Sequence, residues 1–191
     1  GFPTGVFNVV TASQGQTVGK VLSTHPLVKK ISFTGSTAVG KHLLSQAADT
    51  VKRVSMELGG NAPFIVFEDA DIQRAVKGAI ASKYRNTGQT CVCANRFLVH
   101  ESIAPAFADA LADETKKLVV GNGMDDATMQ GPLINQQAFN KVQRLVIDAT
   151  EKGATLLTGG KPHPLGGLFY SPTVLLGATS DMHLAQEEIF G

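Results

Sequence analysis

The residue types best suited to chemistry lie in a short polar turn that holds one of the two cysteines of the chain. Cys91 follows Asn86-Thr87-Gly88, a succession of residues that is typical of a turn. A thiolate is a strong nucleophile, and backbone N–H groups in a polar turn stabilise it. The alternative is an unreactive core thiol, because free cysteine is among the residue types most often buried.

A carboxylate that could act as a general base stands 34 positions before Cys91. Glu57 ends an apolar segment and is followed at once by Leu58, Gly59 and Gly60, which favours the carboxyl end of a strand. Ligands of open α/β sheets bind beyond these ends, where a carboxylate can accept a proton from a reacting group. A solvated glutamate without a catalytic role is the other interpretation.

A second turn could bind a phosphate group. Gly35 and Ser36 separate an apolar segment from a helical pattern, so backbone N–H groups and the positive end of a helix dipole would meet there. Gly35 allows close approach of a ligand, Ser36 is a typical N-cap, and Gly40 permits close packing of the helix. The turn lacks the G-x-G-x-x-G fingerprint, so a capped turn without a ligand stays open.

The last five residues combine acids with an aromatic side chain. Glu187 and Glu188 precede Phe190, and a carboxylate can accept hydrogen bonds from ribose while an aromatic ring can lie against a flat heterocycle. A charged chain end without a ligand is the alternative.

These residues must be positioned by alternating apolar and amphipathic segments, the pattern of an α/β protein with a largely parallel sheet. The first three predicted strands form a β-α-β-α-β unit, and Ser102 is the predicted N-cap of the fourth helix. Gly59-Gly60 is the predicted boundary between a domain at 1–59 and a domain at 60–191. The predicted strands are 6–10, 28–33, 51–57, 63–67, 96–100, 155–158 and 169–176; the other predicted helices are 16–23, 37–48, 71–84 and 136–152.

Composition excludes several classes of protein. A net charge of +1 without a basic stripe argues against nucleic-acid binding, and no apolar run is long enough to span a membrane. Two cysteines, two positions apart, form no disulfide framework and favour a reducing, cytoplasmic setting. The five histidines stand in no recognised relation to Cys91, which gives a thiol hydrolase little support, and no metal-binding pattern is present.

Four motifs together resemble the aldehyde dehydrogenase superfamily in sequence, order and spacing. They are Ser32-Phe33-Thr34-Gly35-Ser36, Met56-Glu57-Leu58-Gly59-Gly60, Gly88-Gln89-Thr90-Cys91 and Glu188-Ile189-Phe190-Gly191. The resemblance implies the C-terminal half of a Rossmann-like cofactor-binding domain at 1–59 and the first part of an α/β catalytic domain at 60–191. Residues 83–95 look most like the succinate-semialdehyde dehydrogenases.

The resemblance also implies a role for each candidate residue. Cys91 would attack the aldehyde to form a thiohemiacetal and then a thioester, which Glu57 would hydrolyse by activating water. The implied cofactor is NAD or NADP. Its implied binding residues are Gly35, Ser36 and Gly40 near the pyrophosphate, Leu58 at the nicotinamide amide, Glu188 at the ribose and Phe190 beside the nicotinamide.

Substrate choice and regulation follow from the same resemblance. Arg85 would bind the distal carboxylate of a small aldehyde, although an arginine at a helix end can also simply face the helix dipole. Cys91 and Cys93 would form a redox-sensitive disulfide, with an unreactive Cys93 as the alternative. The parent enzyme would be a homodimer or homotetramer in the cytoplasm or the mitochondrial matrix. A non-catalytic fragment stays open, because the family's oxyanion-hole asparagine is expected before Gly1.

Overall fold

The computed structural model describes all 191 residues, which form two compact units, Gly1–Gly59 and Gly60–Gly191. It contains no helix that is both long and apolar enough to cross a bilayer. The assignment of 1–59 to cofactor binding and of 60–191 to catalysis stays a prediction.

The first unit is a strand-helix-strand arrangement preceded by a helix. Its elements are α1 (Gly15–Thr24), β1 (Lys30–Gly35), α2 (Thr37–Ala48) and β2 (Arg53–Leu58). The strands β1 and β2 are parallel and pair from Lys30 opposite Arg53 to Gly35 opposite Leu58. Both strands end within two residues of the predicted positions, and the predicted parallel α/β architecture is confirmed for this part of the chain.

The predicted strand at residues 6–10 is wrong. This segment forms no strand, and Val6, Phe7, Val9 and Val10 are all more than half exposed. Apolar and β-branched residues favour a strand only when a neighbouring strand pairs with their backbone and other side chains cover them. The first unit is therefore β-α-β rather than β-α-β-α-β.

The second unit contains one parallel pair of strands and one antiparallel pair. The strands β3 (Ala62–Val66) and β4 (Ala94–Val99) are parallel, whereas β5 (Thr155–Thr158) and β6 (Val174–Leu176) are antiparallel. Asp71 caps α3 by accepting from Arg74 N at 3.0 Å, and Asn135 caps α5 by accepting from Ala138 N at 2.9 Å. In chain order the elements are β3 (Ala62–Val66), α3 (Ile72–Lys83), a 3₁₀ turn (Arg85–Gly88), β4 (Ala94–Val99), α4 (Ala104–Thr115), α5 (Gln136–Glu151), β5 (Thr155–Thr158), β6 (Val174–Leu176) and α6 (His183–Gln186).

Two local predictions in this unit are also wrong. Ser102 does not cap α4, because its hydroxyl lies 2.9 Å from His100 Nδ1 and the helix begins after Ile103 without a side-chain cap. The predicted strand 169–176 is reduced to Val174–Leu176. Pro172 has no N–H for a strand ladder, and Tyr170 forms only an isolated bridge with Pro162.

The core of the second unit fixes the end of α3. Val76 and Ala79 of α3 pack with Phe107 and Leu111 of α4 and with Val66 of β3, and each of these side chains is at most 5% exposed. Complete burial of a large apolar side chain contributes about 1.5–3 kcal/mol to stability. This packing holds α3 in place, so the position of the residues that follow the helix is well defined.

Candidate active site

The cysteine turn, which we define as residues 84–91, leaves α3 in an unusual backbone conformation. Asn86, Thr87 and Gly88 have φ angles of 50°, 57° and 73°, all in the left-handed region. An L-residue in this region costs about 1–2 kcal/mol relative to the right-handed one, and Thr87 is β-branched as well. Strained backbone of this kind persists where the surroundings determine it, and it is concentrated at functional sites.

Local hydrogen bonds close the turn. The backbone N–H of Thr87 donates to Tyr84 O at 3.2 Å, and that of Gln89 donates to Asn86 O at 3.1 Å. The Asn86 side chain donates to Gln89 O at 3.0 Å. Asparagine enters the left-handed region more readily than most residues because its short polar side chain can bond locally.

The two cysteines differ in their surroundings. Cys91 is exposed, as a nucleophile must be, whereas Cys93 is only 1% exposed, and both thiols are free. Cys93 Sγ lies 2.8 Å from Thr90 Oγ1 and donates to Arg85 O at 3.8 Å. The description of a packed thiol therefore fits Cys93 and not Cys91.

Arg85 also lies on the accessible side of the turn. Its side chain is exposed and takes part in none of the ion pairs of the chain. A guanidinium in this position is free to bind a carboxylate through paired N–H donors.

Lys83 is a feature that sequence reasoning missed. Its Nζ donates to Asn95 Oδ1 at 3.0 Å and to Gly191 O at 2.8 Å. Burial lowers the pKa of Lys83 to about 8, while the neighbouring Cys93 acts in the opposite direction. The amine thus ties the start of the cysteine turn to the last residue of the chain, and the only sequence signal was a lysine in the last turn of a helix.

Glu188, the candidate ribose-binding acid, is hydrogen-bonded to Gly60, which lies near the backbone of Cys91. Glu188 Oε1 accepts a hydrogen bond from Gly60 N at 3.4 Å, and Lys141 Nζ donates to Glu188 O at 3.0 Å. A methyl group placed on Gly60 would lie 3.8 Å from Cys91 O. Gly60 therefore has both Glu188 and the Cys91 backbone as neighbours. Phe190, two residues after Glu188, has a left-handed φ of 55°.

The candidate residues of the first unit meet at the carboxyl ends of its two strands. The pairing puts Thr34 opposite Glu57 and Gly35 opposite Leu58. Ser36 caps α2 as predicted, since its Oγ accepts from Val39 N at 3.4 Å.

Close packing supports this edge. A methyl group on Gly40 would lie 2.5 Å from Leu58 Cδ2, so Gly40 holds α2 against the end of β2. The turn at Gly35 and the N-terminus of α2 capped by Ser36 lie at the carboxyl ends of parallel strands, an arrangement that fits a phosphate-bearing cofactor.

The carboxylate candidate Glu57 is exposed. Glu57 belongs to the first unit and Cys91 to the second.

No group of three or more His, Cys, Asp or Glu side chains is arranged to hold a metal ion. The chemistry available to these residues is that of an accessible thiol, an exposed carboxylate and an exposed guanidinium.

Comparison with known proteins identifies the class. The model of the aldehyde dehydrogenase family matches residues 1–191. The chain belongs to this family. It is 57% identical over 191 residues to the 3-sulfolactaldehyde dehydrogenase of Pseudomonas putida, covering 100% of this chain and 39% of that relative.

Two further matches concern another aldehyde. The chain is 52% identical over 191 residues to the NADP-dependent succinate-semialdehyde dehydrogenase GabD of Escherichia coli K12, covering 100% of this chain and 39% of that protein. A crystal structure of succinate-semialdehyde dehydrogenase from Burkholderia pseudomallei superposes with a TM-score of 0.97 at 56% identity, covering 100% of this chain and 39% of that one. The chain thus spans about two fifths of these relatives.

Proposed function

We propose that this chain is part of an NAD(P)-dependent aldehyde dehydrogenase that oxidises succinate semialdehyde to succinate. The observation that carries the proposal is the exposed thiol of Cys91 on a strained turn that also presents the exposed Arg85. Further support comes from relatives and solved structures that are named for this reaction and are 52–56% identical to the chain.

In the proposed mechanism Cys91 is the nucleophile. Its thiolate forms a C–S bond with the aldehyde carbon, and the carbonyl π electrons move to oxygen to give a thiohemiacetal. Oxidation at that carbon, for which the cofactor would supply the hydride acceptor, would leave a thioester on Cys91. Glu57 then takes a proton from water, and the resulting hydroxide forms a C–O bond to the thioester carbon. The C–S bond breaks in turn, which releases the carboxylic acid and the thiolate.

The cofactor supplies the hydride acceptor, a nicotinamide ring, when it is bound. Gly35 and Ser36 would hold its pyrophosphate at the N-terminus of α2, and Gly40 would keep that helix against β2. Leu58 would face the nicotinamide amide through its carbonyl. Glu188 would accept from a ribose hydroxyl and Phe190 would border the nicotinamide, with NAD and NADP as the two candidate forms.

Arg85 is the proposed selector of substrate. Its guanidinium would form paired hydrogen bonds with the carboxylate of succinate semialdehyde. A second candidate substrate is 3-sulfolactaldehyde, because a relative named for it is 57% identical to the chain. Both aldehydes carry an anion, and a sulfonate can also accept from a guanidinium.

The test compares three aldehydes in the full-length enzyme. Replacement of Arg85 by Ala should raise KM for succinate semialdehyde by about 10- to 100-fold, since hydrogen bonds to a charged group contribute about 1.5–3 kcal/mol. KM for the neutral aldehyde butanal should change little. Arg74→Ala, which removes an exposed arginine from α3, is the matched control and should leave all values unchanged.

The same assay separates the two substrates and can refute the role of Arg85. A wild-type kcat/KM that is higher for 3-sulfolactaldehyde than for succinate semialdehyde would favour the second candidate. An equal rise of KM for the anionic and neutral aldehydes in Arg85→Ala would contradict the assignment.

A further inference from the structure

The cysteine turn is hydrogen-bonded to a segment that no motif of the sequence singles out, residues 130–134, which we call the brace. Gln89 uses both ends of its side-chain amide in this contact. Its Nε2 donates to Pro132 O at 3.3 Å, and its Oε1 accepts from Ile134 N at 2.9 Å. Gln89 stands two residues before Cys91, so these bonds act on the backbone that leads directly to the thiol.

Two more hydrogen bonds join the brace to the beginning of the turn. Gly131 N donates to Thr87 Oγ1 at 3.1 Å, and Gln130 Nε2 donates to Tyr84 O at 2.9 Å. Gln130 is 4% exposed. The contact therefore extends along the whole turn and involves both backbone and side-chain groups.

The brace itself is held firmly. Leu133 is 3% exposed and packs with Phe139 and Val142 of α5. At the other end, Gln130 N donates to Val119 O at 3.0 Å and Gln130 O accepts from Gly121 N at 2.9 Å. A segment anchored at both ends can hold the turn in one position.

The backbone of the turn explains why such support is needed. Asn86 and Thr87 are non-glycine residues in the left-handed region, where few residues remain without contacts that determine them. The hydroxyl of Thr87 is one of the groups bonded to the brace, so the most strained residue of the turn is also one of its attachment points.

We propose that Gln89 and Thr87 are positioning residues that set the placement of Cys91 through the brace. The proposal rests on the proposed function for the meaning of that placement, which is attack on an aldehyde carbon. The side-chain bonds of both residues go to the backbone of the brace and not to the Cys91 thiol, so each acts through the backbone of the turn. Displacement of a reacting group by about 1 Å can lower a rate by about 100-fold.

The experiment uses four variants of the full-length enzyme. Gln89→Ala removes both side-chain bonds to the brace, while Gln136→Ala removes an exposed glutamine of α5 that bonds only to Asn140 and serves as the matched control. Thr87→Val keeps the size and branching of the side chain but deletes the acceptor for Gly131 N. Thr87→Ser keeps the hydroxyl and serves as the conservative rescue.

Two measurements are made on each variant: kcat and KM for succinate semialdehyde, and the rate of Cys91 alkylation by iodoacetamide as a function of pH. We expect Gln89→Ala and Thr87→Val to lower kcat by about 10- to 100-fold with KM within about threefold of wild type, and to change the alkylation profile of Cys91. Thr87→Ser and Gln136→Ala should match wild type in both measurements.

The outcomes separate the brace from the proposed function. Wild-type kcat and alkylation in Gln89→Ala and Thr87→Val, with only a lower melting temperature, would overturn the brace, and Thr87→Val decides the matter if Gln89→Ala does not fold. Absence of aldehyde oxidation in the wild type would overturn the proposed function instead. The alkylation profiles would still test the brace, because they require no turnover.

Discussion

Gly88 gives the sharpest structural prediction for the cysteine turn. It is buried, its φ is +73°, and a Cβ added to it would lie 2.8 Å from Gly191 O and 3.0 Å from Lys83 Nζ. Alanine at this φ costs about 1–2 kcal/mol. Overpacking against a backbone carbonyl adds about 1–3 kcal/mol. Gly88→Ala should therefore destabilise the enzyme by about 2–5 kcal/mol, the sum of the two effects.

Gly166 provides a matched control within the same unit. Its φ is +74°, and nothing lies within 4 Å of an added Cβ. Gly166→Ala should therefore show only the cost of the left-handed backbone, about 1–2 kcal/mol. The difference between the two variants isolates the close approach of Gly191 to the turn.

The assay is equilibrium urea unfolding of the full-length enzyme, followed by far-ultraviolet circular dichroism. All variants are measured at one protein concentration, because oligomerisation makes the midpoint depend on concentration. Equal destabilisation by Gly88→Ala and Gly166→Ala would refute the close packing at Gly88. A kcat that falls in Gly88→Ala alone would further link this packing to the position of Cys91.

Three further predictions concern pH, oxidation and the isolated chain. The pKa of Lys83 is lowered from 10.5 to about 8, so between pH 8 and 10.5 the unfolded state binds more protons than the folded state. The free energy of unfolding of the wild type, relative to that of Lys83→Met, should therefore rise by up to about 1.4 kcal/mol per pH unit in this range. A difference between the two proteins that does not change with pH in urea unfolding would contradict this. Mild peroxide should inactivate the enzyme by forming a disulfide between Cys91 and Cys93. Cys93 must then lose its hydrogen bond to Thr90. Loss of activity while both thiols remain free in a trapping assay would exclude the disulfide. The purified 191-residue chain should reduce NAD or NADP at a small fraction of the rate of the full-length enzyme, because it spans only about two fifths of the length of its relatives. Comparable rates would show the isolated chain to be sufficient.

The end of β1 and the cap of α2 could be predicted closely from sequence because they depend on local chemistry. Ser36 was predicted as a cap and is one, and β1 ends at Gly35, two residues beyond the predicted end. The two failures have different causes, a missing neighbouring strand and a competing nearby side chain. Residues 6–10 have the composition of a strand but no strand beside them, and Ser102 bonds to His100 instead of the helix.

In the candidate site, too, some features could be predicted from the sequence and others could not. Cys91 and Arg85 stood out by residue type and by the family motifs, and the structure finds both exposed. The brace could not be foreseen, because Gln89 and Gln130 are common polar residues whose partners lie more than 40 positions away. The lowered pKa of Lys83 likewise arises from burial that only the folded chain provides.

Cys91 should carry the acyl group during turnover, and trapping of the thioester in the enzyme tests this role. The full-length Glu57→Gln enzyme is mixed with succinate semialdehyde and NAD or NADP, quenched in acid, digested and analysed by mass spectrometry. We predict a succinyl group on Cys91, accumulating because the proposed base is missing, and no such group in Cys91→Ala. An acyl group on Cys93, or undiminished aldehyde oxidation by Cys91→Ala, would rule out Cys91 as the nucleophile.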